Sequence, residues 1–349
     1  SSGVTKCSGD QLRHLDVAVD EREPRRGILD LLSKLRPEWK TQHIQMKKFT
    51  EGITNQLIGC YVGSLQEPGC VLVRLYGRMT ELYVNRDREV EMFQVFNAHG
   101  CGPEIYCSFQ NGICYEFVRG NVLEDELLRQ PSIYRLIAAE MGKIHSIQPK
   151  RGQTTEPQLW AKMSHFLTLV KSSITRNPSL ILSNHFFDKN QSQLLSLRST
   201  LFLHHILAYS DLLTGFQSTV VGGKFFPLFS VLRFFILLSQ NWSNSVTDVD
   251  YSLYPSQELQ RDWLTAYLES YKRSTGLNVT VTDEEVTKLY VEVCKFSLAS
   301  NFFWGLWAIL QSRFSSIDFD FQRYAIARLS YYFEKKEEYF ELTLSQLTN

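Results

Sequence analysis

The chain is 349 residues long, enough for one large two-lobed domain or two smaller ones. Its 44% hydrophobic and 21% charged content is that of an ordinary globular protein rather than a disordered or fibrous one. Lys plus Arg equal Asp plus Glu at 37 each, so no overall field draws in nucleic acid or an anionic membrane. Seven scattered cysteines without a CxxC pair point to reduced thiols in a cytoplasmic setting, not to a disulfide framework or a zinc site.

Residues 1–26 are polar and charge-mixed and are expected to be a flexible tail. Ile28, Leu31, Leu32 and Leu35 recur at helical spacing, and Pro37 follows, which predicts a helix over Gly27–Arg36. From Ile44 to Phe117 the texture is strand-like, with β-prone runs at 56–62, 71–76 and 112–117. One amphipathic helix over Arg86–Ala98 interrupts it, with Val90, Phe93 and Phe96 on its apolar stripe. After Gly120 the pattern turns helical, with apolar residues at three- and four-residue spacing over 133–147, 259–271, 284–307 and 319–332. Phe225–Leu238 is apolar but shorter than the ~20 residues a spanning helix needs, and Pro227 and Arg233 break it, so no membrane span is expected. The expected fold class is α+β: a protein-kinase-like bilobal fold with a small sheet-rich N-terminal lobe and a larger helical C-terminal lobe. The lobes are assigned to residues 27–118 and 119–349.

Three features carry chemistry. Lys47–Gln56 is a polar turn containing Gly52, and such a turn can bring backbone amides close to phosphates, although most are plain hairpins. Arg74 sits inside an apolar strand and Glu89 on the helix that follows. A strand cation paired with a helix carboxylate is how kinases hold the α- and β-phosphates. The plainer alternative is an edge arginine and a solvated glutamate. Trp304 and Trp307 lie three apart, so both rings can share one helix face. Aromatic faces hold organic ammonium groups, but a tryptophan pair is more often simply buried.

The runs Asp87–Val90, His99–Tyr106 and Asn111–Phe117 resemble the choline/ethanolamine kinase family, and its ethanolamine kinases in particular. Val246–Pro255, Lys295–Trp307 and Ile317–Ala325 carry the same resemblance more specifically. It implies an ATP- and Mg2+-dependent transfer of phosphate to ethanolamine, a small-molecule substrate, at the start of phosphatidylethanolamine synthesis. It implies that Arg74 takes the phosphate-binding position with Glu89 as its partner, and that adenine lies near the backbone of Glu116 to Val118. It places the amine among Trp304, Trp307 and Tyr324, and makes Asp211 the catalytic carboxylate. His145 reads as a packed helix residue. No nucleic-acid partner is expected, and a homo-oligomer is left open.

The centre of the chain departs from the family pattern. Tyr209-Ser210-Asp211 stands where the resemblance leads one to expect His-Asn-Asp, and Phe216 stands where a metal-binding Asn is expected. Between Asp211 and Asp248 there is no Asp or Glu, and the only charged residues are Lys224 and Arg233. Magnesium takes oxygen ligands, so the run 216–245 offers no carboxylate for it, no metal ligand is assigned, and little or no turnover is expected. The alternative is a catalytically inactive variant, arising from an altered exon or gene model, or a pseudokinase acting as a binding partner.

Overall fold

The computed structural model of the chain describes residues 12–49, 55–77, 85–120, 123, 125–148, 159–176, 250–315 and 319–342. Asp211, the run 216–245 and Gly52 of the polar turn lie outside these residues. The chain divides into two compact units, residues 1–122 and 123–349.

The first unit is a six-stranded sheet with a helix on each face. Its strands are β1 (His14–Leu15), β2 (Ile44–Phe49), β3 (Asn55–Val62), β4 (Val71–Tyr76), β5 (Ile105–Phe109) and β6 (Gly112–Glu116). They lie in the order β1-β5-β6-β4-β3-β2, antiparallel except for the parallel β1–β5 pair. The period of two along β4 sends Val71, Val73 and Leu75 to one face, where they are buried with Ile28, Leu31 and Leu32 of α1 (Pro24–Leu35). Leu72, Arg74 and Tyr76 take the opposite face. There α2 (Arg86–Ala98) begins at Asn85, whose side chain accepts the Arg88 amide at 3.0 Å.

The expected tail over 1–26 is corrected from Leu12 onward. Leu15, Val17 and Val19 are buried in the α1 core, and β1 adds an edge to the sheet. Asn111 fastens this segment, accepting from the Val19 amide at 3.0 Å and donating to its carbonyl at 2.8 Å. Of these three alternating apolar residues only Leu15 lies in the two-residue strand; Val17 and Val19 follow it as buried, non-strand chain. Helix α1 also starts earlier than expected, because Pro24 occupies its first turn, where a missing N–H costs nothing.

The described part of the second unit is helical: α3 (Asp125–Leu128), α4 (Pro131–His145), α5 (Leu159–Arg176), α6 (Gln257–Ser274), α7 (Asp283–Phe314) and α8 (Phe321–Glu341). Helices α4 and α6 approach closely. A Cβ on Gly142 would meet the Tyr267 carbonyl at 2.6 Å, and Ser270 Oγ donates to the Ala139 carbonyl at 2.6 Å. Tyr134, Ala138, Trp263, Leu264, Tyr267, Val293 and Phe296 form their shared core. A capping box of Thr282 and Glu285 starts α7. Asp283–Arg313 is long and apolar enough to cross a membrane by composition, yet 78% of its most apolar window is buried inside the unit, so it reads as a core helix. Contacts between α7 and α8 run in opposite order, Phe302 with Tyr332 and Trp307 with Tyr324, so the two helices are antiparallel.

Candidate active site

In the first unit, the pleat of β4 and the first turn of α2 bring Arg74 and Glu89 together. Their ion pair is 3.0 Å long, with both side chains largely covered. Arg86, which sequence reasoning did not single out, donates to the other carboxylate oxygen at 2.8 Å and lies 3.7 Å from the centre of the Tyr76 ring. Its signal was available in the i,i+3 spacing to Glu89. One carboxylate thus holds two guanidiniums on the α2 face of the sheet. Burial pushes the Tyr76 phenol up to about 12, so it stays neutral beneath that cluster.

Glu116 and Val118 stand at the end of β6, and both are exposed. The amides of Glu116 and Phe117 already donate to the carbonyls of Glu104 (2.8 Å) and Cys70 (3.3 Å). Any base edge reaching this strand end must therefore use the Val118 amide or a carbonyl. A cavity of about 720 Å³ on the α2 side of the sheet is lined by Tyr76, Arg86, Asp87, Glu91 and Asn111, among others. Its lining includes neither Arg74 nor Glu89.

In the second unit, α7 and α8 bring Trp304, Trp307 and Tyr324 into one aromatic group. The tryptophans meet edge-on at 5.2 Å, and Trp307 meets Tyr324 at 6.5 Å and 79°. Trp307 and Tyr324 are buried, while Trp304 keeps part of its ring exposed. Trp307 also packs edge-on against Phe321 and Tyr324 against Phe319, and the Arg328 guanidinium lies 4.8 Å from the centre of the Tyr324 ring. Behind the rings lies a polar group the sequence did not announce: Tyr251, Asn301 and Arg328. Tyr251 donates to Asn301 Oδ1 at 2.5 Å, and Arg328 donates to Asn301 Oδ1 at 3.2 Å and to Tyr324 Oη at 2.5 Å.

His145 packs as read. Its ring sits 3.1 Å from the Tyr267 hydroxyl and edge-on to that ring, and burial lowers its pKa to about 4. Among the described residues, no group of three His, Cys, Asp or Glu side chains could hold a metal ion. The six cysteines among them are all free thiols.

A model of the choline/ethanolamine kinase family matches residues 46–221 and 226–333. The chain is 42% identical to human ethanolamine kinase 1 over 342 residues, 93% of this chain and 75% of the relative. It is 41% identical to human ethanolamine kinase 2 over 340 residues, 93% of this chain and 84% of the relative. Among solved structures, a Plasmodium vivax ethanolamine kinase superposes with a TM-score of 0.66 at 22% identity, covering 90% of this chain and 89% of its own. A choline kinase from Cryptosporidium parvum gives 0.62 at 21%, covering 90% and 96%. These likenesses bear out the mixed sheet followed by a helical unit as a protein-kinase-like fold. With a family model matching most of its length and relatives above 40% identity across it, the chain belongs to the choline/ethanolamine kinase family.

Proposed function

We propose that this chain binds ATP and ethanolamine as an ethanolamine kinase does, and that it transfers the γ-phosphoryl group to the ethanolamine hydroxyl only weakly. The observation that carries the substrate assignment is the convergence of Trp304, Trp307 and Tyr324 across two antiparallel helices. Support for ethanolamine over choline comes from the 42% and 41% identity to ethanolamine kinases. In this reading Arg74, anchored by Glu89 and Arg86, receives the phosphates, and the strand end at Glu116 to Val118 receives the adenine. Asp211 would orient the hydroxyl and take its proton. Magnesium, when bound in a kinase, neutralises the phosphates. No carboxylate lies between Asp211 and Asp248 to hold it, so turnover is low. Balanced charge and free thiols fit a cytoplasmic protein.

The same acid-free run favours a second reading, a catalytically inactive family member that keeps its amine pocket. Both readings stand or fall first on binding. Calorimetric titration with ethanolamine should give saturable one-to-one heat, and Trp307→Ala should weaken it by roughly 3- to 30-fold, the worth of one aromatic face. Absence of binding in the wild-type chain, or binding indifferent to Trp307→Ala, would remove the amine-pocket assignment.

A further inference from the structure

The core of the first unit holds three thiols that the nucleotide reading does not use. Cys60 on β3, Cys107 on β5 and Cys114 on β6 are each 0% exposed and pack in the cluster that α1 covers. Cys60 is separated from β6 by β4, and its thiol donates to the Ile58 carbonyl at 3.8 Å. Cys107 and Cys114 instead stand directly opposite each other across the antiparallel β5–β6 pair. Opposed residues of such a pair share a face and have Cα atoms about 4.5–5.5 Å apart, inside the ~4.4–6.8 Å that a disulfide spans. The two side chains already meet, the Cys114 thiol donating to the Cys107 sulfur.

That bond gives the two sulfurs different characters. It lowers the Cys107 thiol below its ordinary value, with Arg13 and Arg36 adding to the effect, and it raises Cys114. Burial pushes Cys60 the other way, up to about 12. The thiolate is the attacking form, so Cys107 is the nucleophile and Cys114 the resolving thiol. The backbone around Cys107 is also weakly held. Strand β1 pairs only with Ser108 and Phe109, so among the described residues no strand covers the outer edge of β5 at Cys107. On its inner edge the ladder shifts register between Ile105 and Cys107. Local opening of this stretch admits a small oxidant.

We propose that Cys107 and Cys114 form a redox modification site, a reduced dithiol that hydrogen peroxide converts to an intrachain disulfide. The Cys107 thiolate attacks one peroxide oxygen. The O–O bond breaks, Cys107 becomes a sulfenic acid, and the other oxygen leaves as hydroxide and takes up the proton that Cys107 had released. The Cys114 sulfur then attacks Cys107, an S–S bond replaces the S–O bond, and the departing hydroxide takes the Cys114 proton. Two thiols are oxidised and one peroxide is reduced to two waters. The link closes a loop of only eight residues, 107–114, which restrains the unfolded chain little. It serves as a reversible mark, not a permanent brace, on a chain whose thiols are otherwise reduced.

The test treats the full-length folded chain with hydrogen peroxide, alkylates the remaining thiols and digests with chymotrypsin, which cuts after Phe109, between the two cysteines. Mass spectrometry should find the Cys107 and Cys114 peptides joined, and dithiothreitol should release them. Cys114→Ala should leave a Cys107 sulfenic acid that dimedone captures. Cys107→Ala should slow oxidation of Cys114 about tenfold or more, since the attacking thiolate is gone. If either variant fails to fold, the wild-type chain decides, oxidised both native and in urea. Cys101 lies about as near Cys107 in sequence as Cys114 does, so it should compete in urea and lose in the folded chain. Native oxidation confined to the more exposed Cys101, links from either cysteine to Cys60 or Cys101, or a folded chain whose Cys107 and Cys114 stay reduced would overturn the inference. So would undiminished oxidation of Cys114 in a folded Cys107→Ala chain.

Discussion

Glu89 shows how much one side chain can organise. Its carboxylate spans Arg74 and Arg86, so removing it leaves two guanidiniums facing each other across the α2 face. A double-mutant cycle between Arg74 and Glu89 should return a coupling of about 1 kcal/mol, modest because both groups keep some solvent. Arg74→Ala should weaken ATP about tenfold or more in equilibrium dialysis, through the lost charge-assisted contacts. Wild-type affinity in Arg74→Ala would detach this residue from the nucleotide. His145 makes a different kind of prediction. Its folded pKa, lowered to about 4 by burial, lies below the ordinary 6.5, so the unfolded chain binds more protons between those values. Stability should therefore fall as pH drops from 6.5 toward 4, by up to about 3 kcal/mol, and level off below. His145→Phe should flatten that limb in urea titrations at pH 7, 5.5 and 4.5. A limb that keeps its slope would assign it to other groups.

At the scale of elements, the tightest constraint is the α4–α6 contact at Gly142. A methyl group there would meet the Tyr267 carbonyl at 2.6 Å and the Tyr271 amide at 3.0 Å, both backbone and neither able to swing aside. Gly142→Ala should cost about 1–3 kcal/mol by overpacking, despite the ~1 kcal/mol that alanine gains in a helix interior. A raised melting temperature would mean that the helices part without penalty. The elements were largely legible from sequence, because periodicity and caps are local signals. The α2 span, the alternation that aims Arg74, and the pairing of Trp304 with Trp307 could all be read along the chain. What escaped depends on distant partners. The strand at His14–Leu15 forms because β5 offers a free edge and Asn111 receives Val19, 92 residues away. Arg328 and Asn301 meet only when α8 folds back along α7, so neither looked special in its own segment.

At the scale of the whole molecule, the chain combines a family fold and a converging aromatic site with a central stretch that contains no carboxylate for 36 residues. Binding and transfer should therefore come apart: the amine is recognised, and the phosphoryl group stays on ATP. The most direct measurement is phosphorus NMR of the purified chain with saturating ATP, ethanolamine and magnesium, following phosphoethanolamine and ADP over hours. The account predicts product formation near the background of ATP hydrolysis, unchanged by Asp211→Ala. Turnover in the ~1–100 s⁻¹ range of working kinases, abolished by Asp211→Ala, would contradict it and place the metal ligands elsewhere in the chain.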